Sequence, residues 1–320
     1  MKNENRYEKE SYFASHMRIK SLFGSMTLLI ALVVVGCSPP PASEPQSDSN
    51  SDDVVILGES SDPNTGLNSI SELQIVIPAN DFQIGQPRIP FIIMDGGTMT
   101  GEVEQVFLTV FDLSQESPAV VWEGSGINYS DYTVPYWIFY PQIDTAGTYG
   151  VRAKMLRQNG ESTEAQFAIE VLEKAIAPAV GDAGFPSQSR TATDAETLKT
   201  ISSDFEPDPE LYTLSVADAL SNGRPTVISF STPAYCQTAI CAPVLESVKQ
   251  VKAQNNNAVN FLHVDIFADF ETFAVDQTIT EWNLQSEPWT YVLDSSGIIT
   301  ARLAGPVSPS ELASHLESTQ

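Results

Sequence analysis

Thr226-Val227-Ile228-Ser229-Phe230-Ser231-Thr232-Pro233-Ala234-Tyr235-Cys236-Gln237-Thr238-Ala239-Ile240-Cys241-Ala242-Pro243 is the stretch on which the reading of this chain turns. Its first five residues read as a buried strand. Beyond Pro243, Val244, Val248 and Val251 fall on one stripe of an amphipathic helix running to about Ala253. Two cysteines therefore sit between a buried strand and a helix, where open α/β sheets place their sites. A thiol at a helix N-terminus faces unpaired N–H groups and the positive end of the dipole, and both favour thiolate. A second cysteine nearby can resolve a mixed disulfide.

The four-residue spacing limits the geometry. On a regular helix, residues five apart differ by about 7.5 Å in rise and about 140° in rotation, setting their Cα atoms roughly 8–9 Å apart. A disulfide tolerates about 7 Å. A bridge thus requires Cys236 to precede the helix, or the first turn to unwind. Pro243 favours the first, because proline is accepted in a first helical turn but not deeper. The regular helix is expected to start near Ala242.

Working outward, residues 260–267 form the next strand, 270–282 a helical stretch, 289–293 a strand and 298–303 its hairpin partner. A final helix opens at Pro309-Ser310-Glu311, and Ser215-Val216-Ala217-Asp218 has the form of a capping box. This order gives an α/β layer with a mixed sheet. From about Val180 onward the arrangement resembles a thioredoxin fold. Glu287-Pro288-Trp289-Thr290 stands where that family keeps a cis-proline facing its active thiol, and Val180-Gly181-Asp182-Ala183 resembles the opening of redoxin-type members. The resemblance implies thiol–disulfide exchange, with Cys236 as attacking thiolate, Cys241 as resolving thiol, Pro288 as substrate-docking element, and Thr232 and Tyr235 in support. Protein thiols or disulfides would be the partners, with no cofactor and no metal.

The chain departs from that family in two ways. The usual motif has two residues between its cysteines, and Ser229-Phe230 occupies the place of the buried carboxylate that thioredoxin uses for proton transfer. Three other readings stay open. A four-residue spacing also resembles one branch of peroxiredoxins, but that family sets a Thr three residues before its cysteine, whereas Thr232 lies four before Cys236. It also needs an Arg beside the thiolate, and neither Arg224 nor Arg302 falls at an obvious match. An inert staple on a scaffold or binding domain is the second. Copper, held by the two thiolates and an imidazole, is the third. His263 lies in a buried strand, however, where a lone histidine is more often a satisfied core residue than a ligand.

Upstream, residues 69–174 alternate short β-rich runs (73–77, 89–94, 106–111, 120–123, 137–140, 149–156 and 166–172) with Gly-containing breaks, as in an antiparallel sandwich. Asp144-Thr145-Ala146-Gly147-Thr148-Tyr149-Gly150-Val151 resembles the tyrosine corner of immunoglobulin-like domains. Trp122, Tyr136, Trp137 and Tyr140 suit a core more than a binding face, so this domain reads as a spacer or interaction module. Residues 175–184 read as a linker. The fold expected is thus two domains, an all-β immunoglobulin-like sandwich followed by an α/β thioredoxin-like domain over 175–320.

At the N-terminus, Arg18 and Lys20 precede an apolar run from Leu22 that ends in Val34-Val35-Gly36-Cys37, followed by Ser38-Pro39-Pro40-Pro41. This resembles a bacterial lipoprotein signal over 1–36, with Cys37 as the lipid attachment point and Met1 or Met17 as the start. Residues 37–68 have the composition of a disordered tether. The expected location is the extracytoplasmic face of a bacterial membrane, where disulfides persist. Over the 320 residues, 41 acidic side chains outnumber 16 basic ones for a net charge of −25. Such a balance excludes a nucleic-acid-binding surface, which needs a basic stripe.

Overall fold

The computed structural model describes residues 73–255 and 258–319. The expected signal, Cys37 and the tether lie outside them. The described residues belong to one compact unit, and among them no helix is long and apolar enough to cross a membrane.

Ten strands make the first part: β1 (Leu73–Val76), β2 (Phe82–Gln83), β3 (Ile89–Asp95), β4 (Thr98–Met99), β5 (Val103–Asp112), β6 (Ala119–Ser125), β7 (Ile127–Tyr129), β8 (Tyr136–Phe139), β9 (Gly147–Arg157) and β10 (Ser162–Leu172). One sheet runs β1-β3-β8-β7 with β4 on β3, and the other runs β2-β10-β9-β5-β6. The two pack as a β-sandwich. In β9, Tyr149, Val151, Ala153 and Met155 are buried in alternation with exposed or half-buried neighbours, the period-2 pattern of a strand with one wet face. The Tyr149 hydroxyl donates back to the Thr145 carbonyl at 2.8 Å, the turn expected from that motif. β2, β4 and β7 are two or three residues long, too short for periodicity to reveal.

β3 and β8 behave differently, because both of their faces are covered. Phe91, Ile93, Trp137 and Phe139 join the core between the sheets, while Ile92, Tyr136 and Ile138 form a second buried cluster on the outside. The second part of the chain covers that outer face.

This second part comprises α1 (Ala195–Ile201), a 3-10 turn (Pro209–Tyr212), α2 (Val216–Ser221), β11 (Thr226–Ser231), α3 (Cys241–Gln254), β12 (Asn260–Asp265), β13 (Phe267–Asp269), β14 (Ala274–Val275), α4 (Gln277–Glu281), β15 (Trp289–Leu293), β16 (Ile299–Ala304) and α5 (Pro309–Glu317). The sheet order is β12-β11-β15-β16, with β11 and β12 parallel and the other pairs antiparallel. Val227, Val292 and Leu303 pack with Leu245 and Val248 of α3 and Leu312 of α5. On the opposite face Ile228, Phe230 and Tyr291 pack with Val216 and Ala219 of α2 and with Trp282. The sheet is therefore an α/β layer buried on both sides. Ser215 and Asp218 form the expected capping box at α2.

Two expectations need correction. The stretch 270–282 is helical only over Gln277–Glu281. Asp269 accepts from the backbone N–H groups of Glu271 and Thr272 and from the Thr272 hydroxyl, a local turn that competes with helix and closes the β13–β14 hairpin. Asp276 then caps α4 afresh through Thr278 N–H. Residues 175–184 are not a loose linker either. Ile176 and Ala177 donate to the Asp81 carboxylate at 2.9 and 2.8 Å, and Gly181 and Gly184 donate to Ile299 and Gly297 of the α/β part.

The sandwich and the α/β layer share a polar seam as well as an apolar one. Arg88, with a 5% exposed side chain, pairs with Glu311 of α5, exposed by 2%. The same guanidinium donates to the carbonyls of Ala304 and Pro306, both at 2.6 Å, and Tyr136 donates to Glu311 at 2.6 Å. Burial works against the Arg88 charge, but Glu311 together with Tyr140 and Tyr136 offsets it and raises the guanidinium pKa. Arg302 pairs with Asp81 and lies over the Trp289 ring, 4.7 Å from its centroid.

Candidate functional site

β11 ends at Ser231, and the chain turns through Thr232 to Tyr235 before reaching the cysteines. Cys236 precedes α3, and Cys241 is the first residue of that helix, with Cα atoms 5.9 Å apart and the two sulfurs joined in a disulfide. This is the first of the two arrangements that the spacing allowed, and Pro243 sits in the first turn as its chemistry requires. Cys236 is half-buried and Cys241 fully buried.

The helix lacks a side-chain cap, since Ile240 holds the N-cap position and offers no acceptor. The Cys236 sulfur takes that role, accepting from the Cys241 N–H at 3.3 Å, and the Thr238 hydroxyl lies 3.3 Å from the same sulfur. A thiolate formed at Cys236 would meet these donors and the positive end of α3. Between the cysteines, Ala239 adopts φ +58, a left-handed conformation costly for a residue with a Cβ. It turns the fully buried Ile240 into the outer cluster of the sandwich with Tyr136 and Ile138. Two of the four intervening residues thus serve to reach the neighbouring sheet, which sequence periodicity could not reveal.

Pro288 is buried and the Glu287-Pro288 peptide is cis. Thr232 is buried with its hydroxyl 3.3 Å from that of Ser203, directed to that neighbour. Tyr235 is 40% exposed, stacked on Phe270 at 5.7 Å and edge-on to Phe273 at 5.2 Å, so the β13–β14 hairpin packs against the residue that precedes Cys236.

The residue that sequence reasoning passed over is Glu287. A carboxylate oxygen of Glu287 and the two sulfurs all lie within 4.8 Å of one another. Its Oε2 is buried without a hydrogen-bond partner. Burial, reinforced by the negative charge of Asp265, pushes this carboxyl up to about 7. The available signal was an acidic residue directly before the proline expected to face the thiol. A metal could in principle use these three groups, but sulfurs tied in a disulfide are not thiolates and do not ligate as such.

His263 is not part of this group. Its Nδ1 lies 2.7 Å from the Tyr212 hydroxyl and its Nε2 3.0 Å from both Ser231 oxygens, Oγ and carbonyl. Burial lowers its pKa against the pull of Asp265, which keeps it neutral. A cavity of about 280 Å³ lies in the seam, lined by Asp81, Arg88, Tyr140, Trp289, Arg302 and His315 among others. Its guanidiniums pair with Glu311 and Asp81, while the Arg302 Nε is buried without a hydrogen-bond partner, and neither cysteine lines the cavity.

No protein-family model and no curated protein matches the chain. Among solved structures, it is similar to a thiol:disulfide interchange protein of the thioredoxin family from Chlorobium tepidum, at 15% identity over 37% of this chain and 94% of that one, with a TM-score of 0.28. It is also similar to CopC from Methylosinus trichosporium OB3b, at 18% identity over 32% of this chain and 94% of that one, TM-score 0.24. A DUF4426 family protein from Pseudomonas aeruginosa matches at 15% identity over 32% and 89% of the respective chains, TM-score 0.23. Scores this low assign the chain to no family.

Proposed function

We propose that this chain is a membrane-anchored extracytoplasmic thiol–disulfide oxidoreductase, with an immunoglobulin-like sandwich buttressing a thioredoxin-like redox domain. One observation carries the reading. The Cys236–Cys241 disulfide caps the N-terminus of α3, with one sulfur half-buried and the other fully buried. Such an asymmetric pair suits attack at Cys236 and resolution by Cys241. Pro288 would dock the client's backbone, Tyr235 would offer it an apolar neighbour, and a lipid on Cys37 would hold the protein at the membrane. Thr232 supports the loop through Ser203.

The test is the reduction potential of the couple in the full-length chain, equilibrated in glutathione or dithiothreitol buffers with thiols counted by mass. A value between about −120 and −270 mV, the range of exchange catalysts, supports the proposal. A bond that resists reduction below about −300 mV marks a structural staple and overturns it.

A further inference from the structure

The oxidoreductase reading leaves a chemical gap, because Ser229 and Phe230 stand where a buried proton acceptor was expected. Cys241 is fully buried, and a buried thiol surrenders its proton reluctantly. A resolving step at neutral pH needs a base at that sulfur. Among the described residues, Glu287 is the one acidic side chain grouped with both sulfurs.

We propose that Glu287 is the proton-transfer group of the Cys236–Cys241 couple, an assignment that rests on the oxidoreductase reading. Three observations meet here. The carboxylate lies within 4.8 Å of both sulfurs, a gap closed by one water or a small approach once the bond opens. One of its oxygens is buried and has no hydrogen-bond partner. Asp265, at the end of β12, is the charged group acting on it, and the two sulfurs lie beside it. Its ionisation near neutrality equips it to accept and return a proton.

In the reducing direction, the Cys236 thiolate attacks one sulfur of a client disulfide. The client S–S bond breaks, and the leaving sulfur departs with the electron pair and takes a proton from water. Cys241 then gives its proton to the Glu287 carboxylate, and its sulfur attacks the Cys236 sulfur. The bond from Cys236 to the client breaks, and the second client sulfur leaves and takes up the proton held by Glu287. The pair loses two electrons and the client disulfide gains two. The oxidising direction is the reverse.

The experiment reduces the full-length chain and mixes it with glutathione disulfide, following mixed-disulfide formation and resolution by acid quench and mass, from pH 5 to 9. Glu287→Gln should still form the mixed disulfide, which then accumulates because its resolution is slowed. The substitution should slow resolution at pH 7 at least tenfold, with the gap narrowing toward pH 9 as hydroxide takes over deprotonation of Cys241. Resolution by Glu287→Gln within twofold of the unmodified chain at pH 7 overturns the assignment and leaves the oxidoreductase reading standing. An unmodified chain that forms no mixed disulfide overturns both. Because the substitution can perturb folding, the carboxyl of Glu287 is also titrated by carbon-13 NMR in the unmodified chain. A titration that moves between the oxidised and reduced states supports coupling to Cys241, and coincident curves overturn it.

Discussion

The Tyr132 hydroxyl donates a 2.6 Å hydrogen bond to the carbonyl of Pro243 and lies 2.8 Å from the Ser247 hydroxyl, joining the sandwich to the opening of the helix that carries Cys241. Burial pushes this phenol up to about 12, so it stays a neutral donor across the working pH range. Tyr132→Phe keeps the ring and removes both contacts. The expected cost is roughly 1–2 kcal/mol, a lower urea midpoint with an unchanged slope. An unchanged midpoint would mean that water replaces the contact without loss.

Ile240 tests whether the long spacing of the cysteines serves the seam. Its side chain is fully buried in a cluster supplied mainly by the sandwich. Ile240→Ala should therefore cost about 2–5 kcal/mol with the disulfide intact, as for a core residue. Equilibrium unfolding of the oxidised protein measures it. A loss under about 1 kcal/mol would place Ile240 on an ordinary surface loop.

The buried pair of Arg88 and Glu311 gives an asymmetric expectation. Arg88→Met strands the Glu311 carboxylate beside Tyr136 and should cost about 3–5 kcal/mol. Joining it to Glu311→Leu removes the stranded charge, so the double variant should be more stable than the single one. A double-mutant cycle reads the difference. Strictly additive effects would show that the two side chains act independently.

Glu287 links stability to pH in a direction opposite to that of a salt-bridged carboxylate. Its folded value of about 7 lies above the ordinary 4.5. The folded state thus binds the proton more tightly than the unfolded chain. Its contribution is fully present below about pH 4.5 and is lost as pH rises through 7. Glu287→Gln cannot ionise, so it should gain on the unmodified protein between pH 5 and pH 8, by on the order of 1 kcal/mol after allowance for partial solvent screening. Urea midpoints of the oxidised proteins at the two pH values decide it, and a constant difference would place the carboxyl at its ordinary pKa.

Periodicity carried the local architecture well, for reasons visible in single elements. β9 alternates, α3 keeps its valine stripe, and Ser215 with Asp218 caps α2 as their spacing implies. Residues 270–282 misled because apolar spacing there suits a helix while Asp269 folds its own backbone into a turn. The seam was legible only in part. The unbroken apolar runs of β3 and β8 signal burial on both faces, yet their partners lie far along the chain and leave no local trace. Glu287 escaped for the same reason, since its meaning comes from sulfurs that the fold brings to it. The cysteines were legible because their constraint is short-range.

The separation of Arg88 from Glu311, 223 positions along the chain, also orders the protein's assembly during synthesis. The sandwich emerges first, carrying a guanidinium and an apolar outer sheet face that only later residues cover. The nine residues of α5 supply the last charge. A product truncated before that helix would keep every described strand and the Cys236–Cys241 pair, yet present an uncompensated arginine at a half-covered surface. Helix α5 thus acts as a completion check, and loss of the chain from Pro309 onward should be as damaging to the body as a lesion in its core.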